Sequence, residues 1–165
     1  MGAGKTSIGK KLSKLIKFTF IDTDYLIEEK TGVNIPTIFE HEGEEGFRAR
    51  ETKILEEISN NTNTVIGTGG GIVLLPKNRQ IIKNMGFVVY LTASIKELVY
   101  RTEYDKNRPL IADNNAENQI KSILDERKEY YESTSNITIN TDNYDTVKLS
   151  KSIIKSYKTY EKDNS

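Results

Sequence analysis

Gly2-Ala3-Gly4-Lys5-Thr6-Ser7 stands at the start of the chain and finishes as a Walker A phosphate-binding loop does, with G-x-G-K-T opening into a helix. Glycines there let backbone N–H groups converge on phosphates, the lysine neutralises charge, and the hydroxyl reaches a magnesium ion. The helix follows at once, because Ile8, Leu12, Leu15 and Ile16 recur at helical spacing. Only the second half of the motif is present. Its first glycine would fall ahead of Met1, and so would the strand that delivers such a loop. The expectation is a chain whose start lies inside the motif, with the first, central strand of its sheet missing. About six buried apolar residues at roughly 1.5–3 kcal/mol each rival the ~5–15 kcal/mol stability of a whole domain.

Outward from the loop, strand and helix alternate. Phe18-Thr19-Phe20-Ile21 reads as a short buried strand that ends in Asp22-Thr23-Asp24. Helices are predicted over residues 25–30, stopped by Gly32, and over 36–41 and 44–59. The β-branched run at 64–68 delivers Gly69-Gly70-Gly71. Pro76 opens a helix that Gly86 stops, residues 87–91 form the clearest strand, and Ser94 caps the helix that runs to Arg101. Residues 102–118 are polar, contain Arg108-Pro109-Leu110, and are too long for an ordinary connection, which predicts a mobile lid. A helix over 117–132, a strand over 137–140 and a helix over 144–157 complete the pattern. The fold class is α/β with a mostly parallel sheet, as a single domain over residues 1–165.

Composition narrows the function classes. The chain has 165 residues, of which 36% are hydrophobic, enough for a core without staples. Lys and Arg number 24, as do Asp and Glu, so bulk charge gives no reason to bind nucleic acid or an anionic membrane. No apolar run approaches the roughly 18 residues of a spanning helix. The absence of cysteine suits a reducing compartment, so a cytoplasmic location is expected. The chain is also expected to be a monomer. His41 has no partner at metal spacing and is expected on a helix surface.

The acids and arginines suggest an acceptor site. If the strand continues through Asp22-Thr23-Asp24, the carboxylates at i and i+2 share one face, one to hold magnesium through water and one to take a proton from a hydroxyl nucleophile. The alternative is an N-cap with a solvated acid. Three glycines after a strand favour close approach of backbone to a ligand over a plain turn. Arg48, Arg108 and Arg127, taken singly, read as surface charges.

The stretch Glu42-Gly43-Glu44-Glu45-Gly46-Phe47-Arg48-Ala49-Arg50-Glu51 closely resembles the shikimate kinase signature around its substrate-binding arginine. The family's other marks stand in order on either side of it: Asp22 and Asp24, Gly69 to Gly71, Arg108-Pro109-Leu110, and Arg127 with Tyr131. The resemblance implies a P-loop kinase three-layer fold and transfer of the γ-phosphoryl group of ATP to the 3-hydroxyl of shikimate, with one Mg2+. It also implies that Lys5 and the backbone of Gly2, Ala3, Gly4, Thr6 and Ser7 hold the phosphates, while Thr6 and Asp22 serve the metal. Asp24 would bind the hydroxyls and act as base, Arg48 and Arg127 would clamp the carboxylate, Gly70 would offer its N–H, and Arg108 would close over the phosphates. A planar guanidinium suits a carboxylate better than a lysine does. Two rival readings are another small-molecule kinase, such as a gluconate kinase, and a non-catalytic remnant that binds shikimate or a partner without holding ATP.

Overall fold

The computed structural model describes residues 2–103 and 116–163. Helix α1 (Lys5–Ile16) starts at Gly4, whose left-handed φ of 83° only glycine adopts without strain, and runs back to strand β1 (Thr19–Asp22). Helix α2 (Thr23–Thr31) begins directly on Asp22, whose side chain accepts a hydrogen bond from the Asp24 backbone N–H at 3.2 Å. Helix α3 (Ile35–Ile58) is capped by Asn34 and bends at Gly43, where φ 67° and ψ −173° break the helix into two arms. These arms are the two helices expected over 36–41 and 44–59. Across the bend, Arg50 donates two hydrogen bonds to Glu42, at 2.8 and 2.5 Å.

Strand β2 (Thr64–Gly67) leads through the glycine triplet into a 3-10 turn, Gly70–Leu74, which the sequence reading does not anticipate. The Arg79 guanidinium holds this turn by donating to the carbonyls of Val73 and Leu74 while lying 4.3 Å over the Tyr130 ring. Then come α4 (Pro76–Met85), β3 (Val89–Thr92), α5 (Ile95–Glu103), α6 (Ala116–Thr134), β4 (Ile137–Asn140) and α7 (Thr146–Asp163). Helices α5 and α6 each extend into the stretch 102–118 that the sequence reading leaves as a loop. Its centre, with Arg108, lies outside the described residues.

All strand pairing is parallel: β1 with β2, in register Thr19 to Thr64, and β3 with β4, in register Val89 to Ile137. Among the described residues the four strands form two separate pairs, β1–β2 and β3–β4. A cleft of about 480 Å³ runs between β2 and β3. One core cluster, Ile27, Ile38, Phe47, Ile54 and Ile58, ties α2 to both arms of α3. A second joins Ala3 to Leu98 and Ile120, and a third packs Leu55 against Ile72 and Val73. Each fully buried aliphatic side chain contributes about 1.5–3 kcal/mol. Together the clusters fix the phosphate loop, the glycine triplet and α3 relative to one another.

Candidate active site

The C-terminal ends of β1, β2 and β3 face the start of α1, the usual place for a ligand in an open parallel sheet. Gly2 and Gly4 both take left-handed φ values, 62° and 83°, so this short loop turns its backbone as an anion-binding nest does. Its outer side is pinned by Arg101, which donates to the Gly2 carbonyl at 3.1 Å, to the Thr141 carbonyl at 2.7 Å and to Glu97 at 2.8 Å. The Arg101 guanidinium carbon also lies 5.2 Å from the centre of the Tyr144 ring, and a Cβ on Gly4 would meet the Tyr144 hydroxyl at 2.5 Å. Arg101 was not among the sequence candidates. Its signal is the i,i+4 spacing from Glu97, which says that the pair forms but not that it grips the loop.

The hydroxyl of Thr6 donates to Asp22 Oδ2 at 3.0 Å, joining the first turn of α1 to the end of β1. The other Asp22 oxygen caps α2. The strand does not continue through Asp24 as the shared-face reading supposes: β1 stops at Asp22 and α2 begins. Both acids still border the end of β2 and the glycine triplet, and a Cβ on Gly67 would lie 3.9 Å from Asp22 Oδ2. There a Cβ on Gly69 would lie 2.7 Å from Asp24 Oδ1 and 2.9 Å from Glu51 Oε1. The Gly69 N–H donates to the hydroxyl of the fully buried Thr23 at 3.2 Å, which fixes the triplet to α2.

On α3, Arg48 is 8% exposed and Glu51 is 0% exposed. Arg48 donates from Nη1 to Glu51 at 2.6 Å, and from Nη2 and Nε to Glu44 at 2.8 and 3.2 Å. Burial pushes the Glu51 carboxyl up to about 7, against the pull of Arg48 and Arg127 and with reinforcement from Asp24. Glu51 Oε1 is buried and accepts no hydrogen bond. Glu51 was missed in the sequence, although it stands three residues after Arg48 on the same helical face.

The remaining wall comes from α6. The Tyr131 hydroxyl donates to the Gly70 carbonyl at 2.6 Å, and its ring stacks on Tyr90 at 4.7 Å. Arg127, one turn earlier, acts electrostatically on both Tyr131 and Glu51, and its buried Nε makes no hydrogen bond. A cavity of about 340 Å³ reaches from Lys5 past Thr68 and Gly70 to Tyr131. His41 is exposed, as expected.

A hydroxyl beside a carboxylate at a phosphate loop suits Mg2+, which keeps its waters and takes phosphate oxygens with one or two protein oxygens. The described residues contain no cluster of three or more acid, His or Cys groups that would build an all-protein cage.

This arrangement defines a P-loop phosphotransferase acting on a small acidic acceptor. The comparisons then narrow the class: the chain belongs to the shikimate kinase family, whose model matches residues 1–158. The shikimate kinase of Legionella pneumophila is 41% identical over 155 residues, covering 94% of this chain and 89% of the relative. That of Nitrosospira multiformis is 48% identical over 139 residues, covering 84% and 71%. The solved shikimate kinase of Acinetobacter baumannii in complex with shikimate superposes with a TM-score of 0.90 at 42% identity, covering 93% of this chain and 86% of that one. Among the described residues no helix is long and apolar enough to cross a membrane.

Proposed function

We propose how this chain phosphorylates shikimate with ATP. The carrying observation is the enclosed group of Arg48, Glu51, Asp24 and the glycine triplet, joined to the phosphate loop by the hydrogen bond from Thr6 to Asp22. Arg48 and Arg127 bind the shikimate carboxylate, since a guanidinium forms paired, charge-assisted hydrogen bonds with such a group. Asp24 accepts a hydrogen bond from the ring hydroxyl that reacts, and the N–H of Gly70 lies alongside the ring. The backbone of residues 2–7 and the Lys5 ammonium hold the nucleotide phosphates.

As the 3-hydroxyl oxygen bonds to the γ-phosphorus, its proton passes to Asp24. The bond from the γ-phosphorus to the bridging oxygen breaks, and its electron pair leaves with ADP. Arg108 stabilises charge on the group in transit. One Mg2+, held through Thr6 and Asp22, supplies neutralisation of phosphate charge. Catalysis is then chiefly positioning and electrostatic preorganisation. We further propose that the chain works as a monomeric single domain.

The testing experiment is magnesium-dependent ADP release with an acceptor panel of shikimate, gluconate and a neutral polyol. Release with shikimate alone supports the assignment, and equal release with gluconate overturns it.

A further inference from the structure

The chain is neutral in bulk but not in distribution. Residues 6–18 carry Lys10, Lys11, Lys14 and Lys17, residues 146–160 carry Lys148, Lys151, Lys155 and Lys158, and neither stretch holds an acid. Setting these eight apart from the 24 basic residues leaves 16 against 24 acidic ones. The lysines recur every three or four positions on α1, with its C-cap, and on α7, so each set forms a stripe. Seven of the eight are exposed and Lys11 is half-buried. The opposite faces point inward, where Ile8, Leu12 and Ile153 line the cleft beside β2 and β3. Helix α1 packs along α7, so both stripes lie in one outer layer. Packed helix axes stand about 8–10 Å apart, and the stripe on α7 is about 15 Å long.

None of these lysines forms an ion pair among the described residues, whereas Lys30, Lys77, Arg50 and Arg101 elsewhere each hold a carboxylate. At about 0.1 M ionic strength the screening length is about 10 Å, so the fields of neighbouring lysines add. We propose that this face docks the enzyme on an anionic lipid bilayer. A plane is the partner that two side-by-side rows of charge can meet at once. Lysine ammoniums are point charges without the arginine fork, and polybasic segments attract acidic lipids in this diffuse way. Exposed Leu15 and Val147 stand among them, four residues from Lys11 and Lys151, and add apolar contact at the headgroup boundary. Nucleic acid fits this face less well. It has no arginine, and its tyrosines, Tyr157 and Tyr160, pack on Phe87, which leaves no platform for stacked bases.

The test is co-sedimentation of the full chain with vesicles at about 0.1 M salt. Vesicles of phosphatidylcholine with about one third phosphatidylglycerol should pellet the chain, and phosphatidylcholine alone should not. Salt at about 1 M, where the screening length falls to about 3 Å, should release it. Lys14→Glu, Lys151→Glu and Lys155→Glu combined should lower partitioning about tenfold or more. Lys53→Glu, Lys83→Glu and Lys96→Glu make the same charge change on α3, α4 and α5 and should lower it far less. All six side chains are exposed, and thermal midpoints check that both variants fold. The proposal is overturned if acidic vesicles pellet nothing, if neutral vesicles bind equally, or if both triple variants lose binding alike. Self-association that pellets the chain without vesicles overturns it too, as does preference for a poly-uridine strand over acidic vesicles. Binding is the readout, so the outcome does not depend on whether the phosphoryl-transfer roles are right.

Discussion

The Arg48 guanidinium rests against Gly71 so closely that a Cβ at position 71 would come within 2.2 Å of Nη1 and 2.3 Å of both Cζ and Nη2. The bareness of Gly71 is thus what lets the arginine sit between Glu51 and Glu44. Gly71→Ala should displace the guanidinium and raise the KM for shikimate about tenfold or more, with the KM for ATP little changed. Steady-state kinetics with each substrate varied in turn checks this. An unchanged shikimate KM would show that the arginine finds an equivalent seat.

Arg127 has a buried Nε that makes no hydrogen bond, and its charge acts on Glu51 beside Arg48. Truncating one partner of a buried charge pair costs about 2–5 kcal/mol. Arg127→Ala should therefore lower kcat/KM for shikimate more than tenfold. Arg48→Lys should do the same, because an ammonium cannot reproduce the fork that bonds to Glu51 and Glu44. Wild-type values for both variants would refute the carboxylate clamp.

Asp22 accepts from Thr6 with one oxygen and caps α2 with the other. Asp22→Asn keeps a capping oxygen but removes the charge, so the fold should survive while the magnesium requirement rises by about 10–100-fold. Magnesium titrations of ADP release, paired with thermal midpoints, separate the two effects. A lost midpoint with an unchanged titration would make Asp22 a cap and nothing more.

Glu51 sets a pH dependence of stability. Its folded carboxyl titrates at about 7 against an ordinary value of 4.5. Between those values the folded chain holds a proton that the unfolded chain has lost. Stability from this group is therefore complete below about 4.5, falls as pH rises to about 7, and is flat above. The loss is on the order of 3 kcal/mol. Urea unfolding from pH 4.5 to 8 should show the decline in the wild type and lose it in Glu51→Gln. If the decline persists in Glu51→Gln, another group carries it.

How legible the site was depends on whether its parts are local. The phosphate loop, the glycine triplet and Arg48 are short stretches whose residue types follow from their chemistry, so they stand out in the sequence. The periodicity of residues 44–59 likewise places the second arm of α3, which follows Gly43 and ends at Ile58, to within a residue. Glu51 does not stand out, because α3 carries many acids and only burial beneath the glycine triplet separates it from the others. Which glycine faces which side chain is equally hidden: Gly69 makes room for Asp24 and Glu51, while Gly71 makes room for Arg48. Asp22 and Asp24 are legible as a pair, but the change from β1 to α2 between them, with Asp22 capping the helix that carries Asp24, is not. Arg101 is separated by 99 residues from the carbonyl it holds. No local pattern encodes that contact.

The bend in α3 has a meaning for molecular handedness. At Gly43 a Cβ would meet nothing within 4 Å, so space does not restrict the position. Its φ of 67° and ψ of −173° are the mirror image of an ordinary extended conformation, open to glycine and closed to L side chains. A D-alanine introduced by chemical ligation should fit there and stabilise the fold by about 0.4–1 kcal/mol, by narrowing the unfolded ensemble. L-alanine should strain it and swing the arm that carries Ile38 and Phe39. The angle at which this arm meets the rest of the molecule is therefore held by chirality, at a site where the genetic code offers only its one achiral residue.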